Sequence, residues 1–173
     1  MILSRRALLG RAAAVGATLV VPVALGACAR DGRSYSITDW VDIHADGRIV
    51  IGVSQPEVGQ GSFTALPQIL ADQLDADWDA IAVRFVSGKP AYRIAFHAAT
   101  AAQDAAVPIQ TEGGSTSTTL LFARLQAAGA QARDVLVRAA AQRWNVAPAD
   151  CTTARSTVTN AKTGEHVAYG ELV

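Results

Sequence analysis

Two short runs in this 173-residue chain have the residue types that hold a bulky anionic ligand. The first is Gly59-Gln60-Gly61. The second is Gly113-Gly114-Ser115, continued by Thr116-Ser117-Thr118. Glycine lets a backbone approach a ligand closely and adopt turns closed to other residues. The Gln60 amide can donate to an oxo or phosphate group, and the hydroxyls after Gly114 add further donors. Each run stands just before a segment with helical spacing. A helix start offers unpaired N–H groups and partial positive charge, which suits an anion. Gln60, Gly59, Gly61, Gly113, Gly114 and Ser115 are therefore the candidate binding residues.

Other chemistry is thinner. His44, His97 and His166 are far apart and have no partner at metal-ligand spacing. Asp72, Asp75, Asp77 and Asp79 read as a solvated helix end rather than a metal site. No nucleophile elbow and no phosphate-loop lysine is present. The sequence names no catalytic residue and no metal ligand.

The elements that must carry the two runs follow from periodicity. Trp40 to Val53 alternates on both sides of Ala45-Asp46-Gly47, which predicts a β-hairpin. From Thr64 the period changes. Leu66, Ile69, Leu70 and Leu74 share a helical face that ends near Asp75, with Pro67 in the first turn and Ser62 or Thr64 as cap. Ile81, Val83 and Phe85 alternate as another strand. Ser87 to Gln110 is a poorly patterned excursion broken by Gly88, Pro90 and Pro108. A long alanine-rich helix follows, with the stripe Leu121, Leu125, Ala128, Ala132, Val135, Leu136 and Ala139, and Asn145 and Pro148 stop it. Small residues on one stripe let another element pack closely. Cys151 to Val173 reads as a hairpin turning at Lys162-Thr163-Gly164. The expected fold is α+β: two β–α units with small mixed sheets and one long helix.

Half of the residues are apolar and 17% are charged, an ordinary globular balance. Three of the 15 basic residues, Arg5, Arg6 and Arg11, precede Cys28, and all 15 acidic ones follow it, so the part from Cys28 on carries −3. That leaves no basic footprint for nucleic acid. Residues 1–30 combine a basic start, an uncharged stretch and small residues at the end, as targeting segments do. Sixteen uncharged residues are short for a membrane span. Ser4-Arg5-Arg6-Ala7-Leu8-Leu9 resembles a twin-arginine export signal, and Leu25-Gly26-Ala27-Cys28 resembles a lipobox, which makes Cys28 a lipidation candidate. The expected location is exported, either periplasmic or held at a membrane by that lipid. Residues 31–38 read as a linker and 39–173 as the folded part. Cys151 is then a lone thiol, expected to be buried and inert.

The run "PEVGQGSFTALPQILADQLDADWDAIAVRF", followed by "GGSTST", "LQAAGAQARDVLVRAAAQRW" and "GEHVAYGELV", resembles the molybdenum hydroxylases. These are the xanthine dehydrogenase and aldehyde oxidase group, and within it the isoquinoline 1-oxidoreductase type of large subunit. The likeness covers Trp40 to Val173. It implies an incomplete molybdopterin-binding domain and a molybdopterin dinucleotide cofactor. It implies that Gln60 reaches the molybdenum oxo group, that Gly59 and Gly61 let the backbone close around the cofactor, and that Gly113, Gly114 and Ser115 line the same region. The implied reaction is hydroxylation of an N-heterocycle or aldehyde carbon. The implied partners are a small [2Fe-2S] subunit, with a cytochrome as a further one.

The departures are equally specific. The family's chain is much longer, its general-base glutamate lies far beyond Leu172, and Glu171 does not take that role. Glu112 stands where relatives more often have a small residue. The chain is thus expected to be the N-terminal portion of an exported oxidoreductase, inactive alone. The alternative is a non-enzymatic exported lipoprotein that keeps the fold and binds only a partner subunit.

Overall fold

A computed structural model describes residues 34–96 and 107–173. The targeting segment, Cys28 and His97 lie outside the described residues. The elements run β1 (Ser34–Thr38), β2 (Val41–His44), β3 (Ile49–Val53), α1 (Ser62–Leu74), β4 (Ile81–Phe85), β5 (Ile94–Phe96), β6 (Val107–Ile109), α2 (Ser117–Trp144), β7 (Cys151–Ala154), β8 (Thr157–Asn160) and β9 (His166–Ala168).

The first sheet is mixed, in the order β1-β2-β3-β4. The β2–β3 hairpin forms on Asp46-Gly47 as the turn signal predicts, with Val41 opposite Ile51. β3 then pairs in parallel with β4, Ile49 beside Ile81 and Val53 beside Phe85. A parallel neighbour needs a crossover, and α1 supplies it. Every residue of β3 is buried, which explains its unbroken apolar run. β1 is a correction to the linker reading of 31–38. It pairs with β2 through its backbone, while Tyr35 and Ser36 stay exposed, so it leaves no buried-face pattern to read.

α1 starts at Ser62, two residues earlier than its apolar spacing suggests. Pro67 therefore lies inside the helix and is buried there, not in the first turn. Its missing N–H leaves one helical acceptor without its donor. Both long helices end alike. Asp75 (φ 53°) and Asn145 (φ 53°) take the left-handed cap, and the next N–H reaches back to Ala71 and Ala141 respectively. The stripe of α2 is shifted from the expected one. Leu121, Leu125, Ala128, Gly129, Ala132, Leu136, Ala140 and Ala141 are buried, whereas Val135 is 44% exposed.

β7, β8 and β9 make a three-stranded antiparallel sheet. The hairpin expected at Lys162-Thr163-Gly164 joins β8 to β9. A further turn, Arg155-Ser156, joins β7 to β8 with φ of 46° and 58°. Two non-glycine residues at positive φ give no turn signal in sequence. Contacts with the segment after α1 hold them: Ser156 N donates to the Asp75 carbonyl (2.9 Å), Ser156 Oγ accepts from Asp77 N (2.8 Å), and Arg155 pairs with Asp77 (2.9 Å). Asp75 meets Arg133 (2.9 Å). The acidic run is thus a docking edge for α2 and β7–β8, and no metal-ligating cluster exists among the described residues.

One contiguous core joins all three layers, from Ile43 and Ile51 through Leu66, Leu70, Leu121 and Leu125 to Val158 and Tyr169. Each such side chain contributes about 1.5–3 kcal/mol by leaving water. The Tyr169 hydroxyl donates to the Leu74 carbonyl (2.8 Å) at the end of α1, and its burial raises the phenol's pKa. Cys151 is half-buried, with its thiol pKa raised by desolvation and then by Asp150, as an inert thiol should be. No described helix is long and apolar enough to cross a membrane.

Candidate functional site

The two glycine runs lie at one end of the molecule, joined by buried polar groups. The chain leaving β3 reaches Ser54 and Gln55, both fully buried. Gln110, at the end of β6, donates from Nε2 to the carbonyls of Ser54 (2.8 Å) and Val86 (2.7 Å). It thereby ties the ends of β3 and β4 to the second loop. The Gln55 amide is assigned with its nitrogen toward the acceptors around it. In that orientation it donates to Glu112 Oε2 (2.9 Å) and to the Thr111 carbonyl. The Ser117 hydroxyl, the first residue of α2, lies 2.9 Å from both oxygens of Glu112. A chain of bonds thus runs from the strand before α1 to the start of α2. Between them lies an open cavity of about 340 Å³, lined by Ser54, Pro56, Phe85, Ser87, Gln110, Thr111 and Glu112. The buried Ser54 hydroxyl has no partner among the described residues.

Most donors of the first loop are already used within it. Glu57 fills the start of α1. Its Oε1 accepts from Gly59 N (2.8 Å) and Gly61 N (3.0 Å), and its Oε2 from Phe63 N (2.9 Å) and Ser62 Oγ (3.3 Å). This overturns the expected Ser62 or Thr64 cap: Gly61 is the cap residue and has no capping side chain. The Gln60 amide is likewise used within the loop. Its nitrogen donates to the Pro56 carbonyl (2.7 Å) and Ser62 Oγ (3.1 Å), and its oxygen accepts from Val58 N (2.7 Å). Gly59 (φ 100°) and Gly61 (φ 81°) are needed for this turn, and a Cβ on either would face open space.

The backbone bonds, those from Phe63 and Gly61 foremost, hold the Glu57 carboxyl down to about 2 from an ordinary 4.5. A depressed carboxyl stabilises the fold above its unfolded pKa and loses that contribution as pH falls toward the folded value. The stability difference between wild type and Glu57→Gln should therefore be constant above about pH 5.5. It should shrink between 4.5 and 2 in thermal melts followed by circular dichroism. A difference independent of pH would show that the carboxylate is not the species bound there.

The second loop is different. Gly113 (φ 146°), Gly114 (φ 64°) and Ser115 (φ 57°) turn it, and Thr116 Oγ1 donates to the Gly113 carbonyl (2.9 Å). Thr116 caps α2 without a side-chain bond. The amides of Ser117, Thr118 and Thr119 have no acceptor among the described residues. This donor set suits an anionic pterin cofactor, whereas Gly61 N, Phe63 N and the Ser62 hydroxyl at the start of α1 are already bonded to Glu57. The residues thus fit such a group at the second loop and across the open glycine faces of the first. Sequence reading missed Glu57 and Gln55. A recurring spacing was the available signal: Glu57 precedes Ser62 by five positions and Glu112 precedes Ser117 by five.

Known proteins resemble this chain over most of its length. A family model described as molybdopterin cofactor-binding domain matches residues 6–173. The chain is 36% identical over 184 aligned positions to the isoquinoline 1-oxidoreductase subunit beta of Brevundimonas diminuta, covering 99% of this chain and 22% of that one. It is 28% identical to a membrane-bound, pyrroloquinoline-quinone aldehyde dehydrogenase of Gluconacetobacter polyoxogenes, covering 81% and 16%. The chain thus spans about a fifth of the length of these relatives. Reconstituted CO dehydrogenase from Oligotropha carboxidovorans shares the fold, with a TM-score of 0.55 at 20% identity over 76% of this chain and 15% of that one. On the breadth of the family match and the likeness to the beta subunit, the chain belongs to the molybdopterin cofactor-binding domain family of molybdenum hydroxylases.

Proposed function

We propose that this chain is the N-terminal cofactor-binding portion of an exported molybdenum-dependent oxidoreductase that hydroxylates N-heterocycles or aldehydes and needs the rest of the subunit for activity. The observation that carries the reading is the bonded continuity from Gln55 through Glu112 to Ser117, which sets two glycine-turned helix starts side by side. The free amides at α2, with Gly113, Gly114 and Ser115, hold the anionic part of a molybdopterin dinucleotide. Gln60, with Gly59 and Gly61, faces the same group, its amide exchanging the bonds to Pro56 and Ser62 for bonds to the cofactor. The cofactor supplies the two-electron oxidation. Electrons leave through a small [2Fe-2S] subunit, with a cytochrome beyond it. Export follows the twin-arginine route, and Cys28 is the candidate anchor.

The test uses the full-length subunit with its partner. Gln60→Ala should lower turnover by on the order of 10², the scale for one lost donor at a reacting centre. Molybdenum content by elemental analysis should be unchanged. Turnover equal to wild type would remove Gln60 from the site. One observation favours the non-enzymatic reading: Glu57 already satisfies α1, and Val58 (76%) and Phe85 (47%) offer exposed apolar surface to a partner subunit. Under that reading the purified full-length product carries no molybdenum and still captures the small subunit.

A further inference from the structure

The start of α1 is an anion site that the chain has filled itself. Three amides, Gly59, Gly61 and Phe63, and the Ser62 hydroxyl converge on one carboxylate over 2.8–3.3 Å. That carboxylate comes from four residues before the helix cap, so the chain must fold back to deliver it. The same turn places Val58 N against Gln60 Oε1 and the Pro56 carbonyl against Gln60 Nε2. Glu57 and Gln60 therefore hold one loop from its two ends, and Ser62 Oγ is shared, lying 3.1 Å from Gln60 Nε2 and 3.3 Å from Glu57 Oε2. No Lys, Arg or His side chain bonds to Glu57 among the described residues; backbone amides alone, with one hydroxyl, neutralise it.

We propose that Glu57 is the positioning residue of the Gln60 loop: it occupies the anion site of α1, sets the Gln60 side chain before any cofactor arrives, and restricts the cofactor's phosphate to the start of α2. This rests on the cofactor reading above for the identity of the ligand, but not for the role of Glu57. A like charge brought to α1 would meet the carboxylate where Gly61 N, Phe63 N and the Ser62 hydroxyl already donate to it. The amides of Ser117, Thr118 and Thr119 remain open. The consequence is a division of labour: one helix start shapes a protein side chain, and the other receives the ligand.

The test uses the full chain, wild type, Glu57→Ala and the near-isosteric Glu57→Gln, with amide exchange and amide shifts read by NMR. Exchange at Gly59, Gly61 and Phe63 should rise at least tenfold in Glu57→Ala, while exchange in the middle of α2 keeps its wild-type rate. Formate should restore slow exchange in Glu57→Ala and leave Glu57→Gln unchanged, because the amide still blocks the site. Pyrophosphate should shift α1-start amides in Glu57→Ala and not in wild type. Unchanged exchange at the three amides in both variants would overturn the proposal. So would pyrophosphate shifting the α1 start of wild type. If pyrophosphate leaves the α2 start of wild type unmoved while the exchange and formate results hold, the cofactor reading of the second loop fails and the role of Glu57 stands.

Discussion

Replacing Gly129 with alanine is expected to destabilise the protein by about 2 kcal/mol, although alanine is the better helix former. A Cβ at position 129 would sit 2.4 Å from the Leu70 carbonyl oxygen and 2.9 Å from Gln73 Cβ. The nearest of these atoms is backbone inside α1, so no side chain can swing away to relieve the contact. Overpacking of this kind costs roughly 1–3 kcal/mol or more, and the gain in helix propensity returns about 1. Relief requires α1 and α2 to move apart at their crossing, which loosens Leu66 and Leu70 against Leu121 and Leu125, all at most 1% exposed. The same movement carries the two helix starts with it. In urea unfolding the midpoint should fall with the slope unchanged. Gly129→Val should fall further. A midpoint at or above wild type for the alanine variant would mean that the helices do not approach this closely.

That glycine shows what the sequence makes legible and what it hides. The alanine stripe of α2 announces a close neighbour, and the spacing of Leu66, Leu70 and Leu74 announces the face that meets it. Both follow from a 3.6-residue period, kept for about two turns in α1 and about five in α2. Gly129 lies inside the stripe and reads as only a weak helix former, because nothing local says which residue faces a carbonyl. The Asp46-Gly47 hairpin and the left-handed helix ends are legible because single residues dictate them. β1 and the Arg155-Ser156 turn are not, because the first is an edge strand whose one apolar residue packed on the core is Ile37 and the second is held by residues some 80 positions away. At the site, the glycine runs mark where the backbone must turn, since positive φ at 59, 61, 113 and 114 allows little else. The use of their donors is hidden. A carboxylate that folds back onto a helix start follows no periodicity, so Glu57 reads as one more charged loop residue, and Gln60 reads as free when it is spent.

Gln55→Leu should disrupt the site while leaving the residues of both helix starts unchanged. Leucine keeps much of the volume, so the loss falls on the hydrogen bonds and not on packing. Two acceptors, the Thr111 carbonyl and Glu112 Oε2, lose the donor that faces them. A buried acceptor that loses its donor costs about 1–3 kcal/mol; both acceptors here are half-buried and Glu112 keeps the Ser117 hydroxyl, so a total of about 2 kcal/mol is expected. The effect should not be confined to stability. Gln55 lies two residues after β3 and Glu112 five residues before α2, so this contact joins the two loops beside the Gln110 bonds. Without it, Ser117 and the open amides after it are set by Glu112, by Gln110 and by the packing of α2. Exchange at Ser117, Thr118 and Thr119 should therefore quicken relative to the middle of α2, while the Glu57 bonds at α1 persist. A double-mutant cycle isolates the contact. Gln55→Leu with Glu112→Ala should cost at least 1 kcal/mol less than the two single changes added, because removing the carboxylate also removes the stranded acceptor. Strict additivity would place the Gln55 amide elsewhere and leave the Gln110 bonds as the polar tie between the strand before α1 and the loop before α2.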